Sequence, residues 1–187
     1  AVPHVPASMV RDEAHATQIL EALADAGARS ALMLGGNVQQ TKLDATTLAQ
    51  LAKPPFDSLC FPAFPDGHPR ADDRLDDKLR RFPGSTVITQ WSPNPIDAFL
   101  DDFRRRHRDV EVHVGVVGPA KSQAALLKFA RFCGVDIGVD VDPQAFVDTC
   151  VRNLDDYAER HPDARLRLHL FPLGTTRSLD YLRQRQA

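Results

Sequence analysis

Apolar residues recur along this chain with two alternating periods. Ala16, Ile19, Leu20 and Leu23 share one face of a helix that should end near Gly27. Positions 30–34 are a short apolar run stopped by Gly35-Gly36. Leu48 and Leu51 mark a short helix that Asp44 can cap. A second apolar run covers 58–61. Positions 72–82 read as an amphipathic helix with Leu75, Leu79 and Phe82 inward, and 86–91 as a strand. Ile96, Phe99, Leu100 and Phe103 form the next helical stripe, ending in the basic run Arg104-Arg105-Arg106-His107-Arg108. Positions 112–117 are a strand and 122–132 a helix. Asp142-Pro143 is a cap followed by proline at the first helical position. The helix it opens carries Val147, Cys150, Val151, Leu154 and Ala158 on one face. Positions 166–171 are the last strand, and Ser178 opens a short terminal helix.

Strand starts near 30, 57, 86 and 112 recur at about thirty residues, the spacing of a βα unit with a helical crossover. The fold class is therefore α/β with a parallel sheet. An open doubly wound sheet and a closed (β/α)8 barrel both fit this period. Five or six units are legible, fewer than a complete barrel needs. No composition break separates them, so residues 1–187 are expected to form a single domain.

Composition narrows the classes. The chain has 187 residues, 43% hydrophobic and 26% charged, with a net charge of −2. No basic surface for nucleic acid follows from that balance, and no apolar run approaches a membrane span. Three widely spaced cysteines fit no zinc or redox pattern. They read as free thiols, the usage expected in a cytoplasmic compartment.

The polar residues that follow apolar runs are the candidates for chemistry, because βα proteins build sites at the trailing ends of strands. Gly35 and Gly36, in Leu34-Gly35-Gly36-Asn37, permit close backbone approach to a ligand, or simply make a turn. His68, in Phe64-Pro65-Asp66-Gly67-His68-Pro69, is placed to donate to a phosphate or ribose oxygen, or to bond its own loop. Gln90 ends a strand with one acceptor and two donors, suited to the edge of a pterin or flavin, or to its own strand end. Trp91 can stack on a flat ring or pack in the core. The basic run at 104–108 is a phosphate site or a solvated helix end. Asp142 is read as a cap rather than half of a carboxylate pair with Asp140.

In order and spacing these motifs resemble the barrel of the methylenetetrahydrofolate reductases. Pro3-His4 is similar to the Pro-His ending that family's third strand. Leu34-Gly35-Gly36-Asn37 stands in the place of its Leu-Arg-Gly-Asp. Phe64-Pro65-Asp66-Gly67-His68-Pro69 resembles its Tyr-Pro-Glu-x-His-Pro, and Ile88-Thr89-Gln90 its Ile-Thr-Gln. The resemblance implies a (β/α)8 TIM barrel with the first two βα units absent from this chain. It implies an oxidoreductase using FAD, with NAD(P)H as reductant, to reduce 5,10-methylenetetrahydrofolate to 5-methyltetrahydrofolate. Gly35, Gly36, Asn37, Phe64, His68 and Lys78 would hold FAD, and Gln90 and Trp91 the folate.

Departures from the family keep a second class open. Asn37 stands for an aspartate and Gly35 for an arginine. Gln123 stands near where some members stack an aromatic ring on nicotinamide. The family's catalytic acid has no counterpart here. The alternative is a folate-binding relative that is not a reductase, such as a methyltransferase component or a partner-dependent subunit. Unpaired sheet edges of an incomplete barrel would favour a homo-oligomer.

Overall fold

A computed structural model describes residues 2–35, 43–52, 56–67, 74–173, 180, 181, 183 and 184. Its strands are β1 (His4–Pro6), β2 (Ser30–Leu34), β3 (Ser58–Ala63), β4 (Thr86–Thr89), β5 (Val112–Val117) and β6 (Leu166–Phe171). Among the described residues there are six α-helices: α1 (Glu13–Asp25), α2 (Ala45–Leu51), α3 (Leu75–Arg81), α4 (Asp97–Arg106), α5 (Gln123–Cys133) and α6 (Pro143–Arg160). Hydrogen-bonded neighbours in the parallel sheet follow chain order, β1-β2-β3-β4-β5-β6. The chain divides into two compact units, Ala1–Ala63 with Arg70–Ile88, and Phe64–Pro69 with Thr89–Ala187.

In the first unit β1, β2 and β3 run parallel, with His4 opposite Leu32, Pro6 opposite Leu34, and Leu32 opposite Cys60. Their carboxyl ends therefore share an edge. β2 and β3 are buried on both faces, as parallel strands covered by helices must be. Leu32, Cys60 and Ile88 form one core cluster. The α3 stripe is as its spacing requires: Leu75, Leu79 and Phe82 are buried, and Phe82 meets Phe61 with ring centroids 5.6 Å apart. Asp44 caps α2, accepting the Thr47 N–H at 2.7 Å. Pro3-His4 does not end a strand. His4 opens β1, two residues before its last residue, Pro6.

In the second unit β5 and β6 pair in parallel from Val112 opposite Leu166 to Val117 opposite Phe171. Ser122 caps α5, and Gly134 closes it with φ +70°, a left-handed turn that glycine takes without strain. Asp142 accepts the Ala145 N–H at 2.7 Å and Pro143 is the first residue of α6, so this carboxylate is a cap. Val147, Val151 and Leu154 are buried as expected, but Ala158 is exposed and Tyr157 takes the inward place. Positions three and four residues on from Leu154 both lie near the buried face, and the larger ring gains more from burial.

The basic run closing α4 is a lattice of ion pairs. Arg105 and Arg106 both bond Asp102 at 2.9 Å, and Arg104 bonds Asp163 at 2.9 Å. Its cations are engaged by carboxylates, the solvated-end alternative rather than a phosphate site. No helix among the described residues is long and apolar enough to cross a membrane. Ser178 lies outside the described residues.

Candidate functional site

The expected strand over 86–91 stops two residues short, at Thr89. Thr89 is fully buried, and its hydroxyl accepts the Gly115 backbone N–H at 2.8 Å. A side-chain oxygen thus occupies the place of a ladder carbonyl, and pairing ends there. Gln90 and Trp91 leave the strand as a short extension, Gln90 half-buried and Trp91 buried.

Trp91 is only 1% exposed and anchors a cluster with Val117, Ala120, Leu126 and Ala130. Phe129 stacks on it at 5.9 Å and 16°, and Phe146 meets it edge-on at 5.9 Å. A flat ligand could reach the indole only by displacing such neighbours. The indole Nε1 is buried with no hydrogen-bond partner among the described residues. Trp91 and Gln90 also flank the Cys133 thiol. Burial pushes that thiol up, and the two side chains partly offset the push.

Beyond Trp91 the chain turns through Ser92-Pro93-Asn94. The Ser92 hydroxyl accepts the Asn94 N–H at 3.0 Å. Asn94 Nδ2 then donates to Asp66 Oδ1 at 2.9 Å. Asp66 belongs to the turn that follows β3, closed by the Gly67 N–H on the Phe64 carbonyl at 2.9 Å, with Gly67 at φ +79°. Phe64 is half-buried at the head of this turn. Neither Asp66 nor Asn94 stood out in the sequence. The signal was the turn chemistry around them, Pro65-Asp66-Gly67 and Pro93-Asn94-Pro95.

Gly118 follows β5 and donates its N–H to the Phe171 carbonyl at 2.8 Å, so the trailing ends of β5 and β6 lie together. A cavity of about 430 Å³ opens beyond that end, lined by Lys121, Ser122, Asp142, Gln144 and Tyr181 among others. Gln90 and Trp91 do not line it.

Of the residues expected to hold FAD, Gly35, Phe64 and Lys78 are among the described residues. Gly36, Asn37 and His68 lie outside the described residues. Gly35 is exposed, and a Cβ there would meet nothing within 4 Å. Lys78, half-buried on α3, bears on Asp44. Burial pushes the Asp44 carboxyl up, but its hydrogen bonds to the Thr47 and Thr46 amides, with the Lys78 charge, leave it below the usual value. Lys78 thus contributes a distant positive charge to a helix-capping carboxylate. Gly35 and Lys78 belong to the first unit and Phe64 to the second. Neither unit by itself gathers a flavin cradle from the described residues, so no chemistry is derived through that cofactor. Among those residues no three His, Cys, Asp or Glu side chains are grouped to hold a metal ion.

One solved structure with this fold is an uncharacterized protein from Clostridium thermocellum that binds two copies of 5-methyl-5,6,7,8-tetrahydrofolic acid. It matches with a TM-score of 0.64 at 15% identity, over 90% of this chain and 65% of that one. At that identity the likeness is one of fold. The present chain spans 65% of that protein's length. No protein-family model and no curated protein sequence matches the chain. The resemblance to methylenetetrahydrofolate reductases thus reduces, as a finding, to a fold shared with a protein that binds a reduced folate.

Proposed function

We propose that this chain binds a reduced folate, 5-methyltetrahydrofolate or a close one-carbon relative, and acts as a folate-binding protein rather than a flavin reductase. A methyltransferase component or partner-dependent subunit is the role that fits. The observation that carries this reading is the shared fold with a protein that binds 5-methyltetrahydrofolate. We also propose that the six strands are part of a (β/α)8 barrel, which parallel βα units in unbroken chain order support.

Gln90 is the residue we assign to the ligand. It leaves β4 at its carboxyl end, half-buried, beside a tryptophan locked by two phenylalanines. A rigidly based amide suits a pterin, whose edge presents adjacent donors and acceptors. Trp91, buried as it is, would serve as the base on which Gln90 stands. FAD remains a second ligand to be tested.

The test is calorimetric titration of the purified chain with 5-methyltetrahydrofolate and, separately, with FAD. Saturable folate uptake with no flavin retention supports the proposal. No folate uptake overturns it. A yellow protein that NADH bleaches would restore the reductase reading.

A further inference from the structure

Asp66 and Asn94 lie 28 residues apart in sequence, in the loops that follow β3 and β4. We propose that their hydrogen bond is a positioning clip, holding the turn headed by Phe64 against the segment headed by Gln90 so that the two present one preformed ligand surface. This rests on the folate reading given above. Three observations carry it. The Asn94 amide donates to the Asp66 carboxylate at 2.9 Å. Each end is itself fixed by a closed turn, the Gly67 N–H on the Phe64 carbonyl and the Asn94 N–H on the Ser92 hydroxyl. Gly67 sits at φ +79°, a conformation that commits the turn to one shape. Two locally rigid turns joined by one charge-assisted bond move as a body, and a site divided between them would be organised before the ligand arrives.

Asp66 and Asn94 are positioning residues and touch no ligand in this argument. Their pairing depends on one carboxylate facing one amide, so it can be broken and remade without altering size. Asn94→Asp sets two carboxylates together and should open the clip. Asp66→Asn keeps an acceptor facing Asn94 and should be mild. The double variant Asp66→Asn/Asn94→Asp restores the pair in reverse.

The experiment measures 5-methyltetrahydrofolate affinity, melting temperature and amide hydrogen exchange across 64–67 for the wild type and all three variants. Asn94→Asp should weaken binding by about five- to tenfold, the worth of one such bond. It should also speed exchange at 64–67 with the melting temperature held, and the reversed pair should recover both to within about twofold of wild type. Unchanged exchange in Asn94→Asp overturns the clip, whatever the affinity. Failure of the reversed pair to recover overturns it as well. Faster exchange with folate affinity unchanged shows a clip that does not organise the site, and overturns the positioning role. A wild type that takes up no folate, with exchange still responding to the pair, leaves a clip between loops and refutes the folate reading instead.

Discussion

The Gly115 backbone N–H donates to the Thr89 hydroxyl at 2.8 Å, and the two backbones approach so closely there that only glycine fits. A Cβ at Gly115 would stand 2.2 Å from the Thr89 carbonyl oxygen, 2.7 Å from the Phe171 ring and 3.1 Å from the Trp91 nitrogen. Two of these neighbours are backbone, which cannot turn aside. Gly115→Ala should therefore destabilise the fold by about 3 kcal/mol or more, far beyond the fraction usual for an alanine in a strand. Thr89→Val, which leaves the buried N–H unpaired, should cost about 1–3 kcal/mol. Urea unfolding of both variants checks this. A Gly115→Ala protein as stable as wild type would show that the close approach is not real.

A second expectation concerns Tyr157, fully buried on α6, whose hydroxyl donates to Asp101 on α4 at 2.8 Å. Asp101 is about half exposed and can turn to water when the partner is lost. Tyr157→Phe should therefore cost only about 1 kcal/mol, while Tyr157→Ala, which opens a cavity, should cost about 3–5 kcal/mol. Equal losses in the two variants would mean that the hydroxyl, not the ring, carries the contact.

Thiol ionisation gives a pH test. Burial pushes the Cys150 thiol from its ordinary 9.0 up to about 11. Its sulfur lies 3.9 Å from the Ser92 carbonyl oxygen, which cannot stabilise a thiolate. Above pH 9 the unfolded chain gives up this proton and the folded chain keeps it. The contribution to stability is thus complete below pH 9 and is lost as pH rises toward 11, on the order of 2–3 kcal/mol in all. Between those values wild type should lose more stability than Cys150→Ala, which lacks the group. Parallel pH profiles for the two would refute the assignment. At pH 8 a thiol probe should label Cys150 slowly in the folded protein and readily once it is unfolded.

Much of the frame was legible in the chain. The runs at 30–34, 112–117 and 166–171 are β2, β5 and β6 to the residue, because the first is continuously apolar after Ser30 and the other two alternate or nearly so at the strand period. Asp44 and Asp142 announced their helices because a capping carboxylate serves amides two or three positions ahead, a local chemistry. What sequence could not give was long-range. Nothing near Thr89 indicates that its partner is Gly115, and so the apolar pattern alone runs the strand on to Trp91. Asp66 and Asn94 are ordinary turn residues until the fold brings their turns together. The stripe runs to Ala158 by period alone, and a period does not weigh the larger ring of Tyr157 or its hydroxyl, which finds Asp101 on another helix.

The last expectation turns on Gln90. It is half-buried, it directly follows the residue whose hydroxyl ends β4, and its neighbour Trp91 is immobilised between Phe129 and Phe146. The backbone from which the amide projects is held on both sides, so the side chain has few ways to miss a ligand placed before it. A buried amide matched to a pterin edge discriminates by leaving mismatched groups unpaired. Gln90→Ala should weaken 5-methyltetrahydrofolate binding by about five- to 150-fold, the range for losing one or more such bonds, with little change in melting temperature. Gln90→Glu should be worse than its size suggests, because it exchanges two donors for a negative charge. Titration of both variants with 5-methyltetrahydrofolate and with FAD separates the outcomes. Folate affinity unchanged in Gln90→Ala would remove this residue from the ligand site. A lowered melting temperature with affinity intact would place its amide in the packing around Cys133 instead.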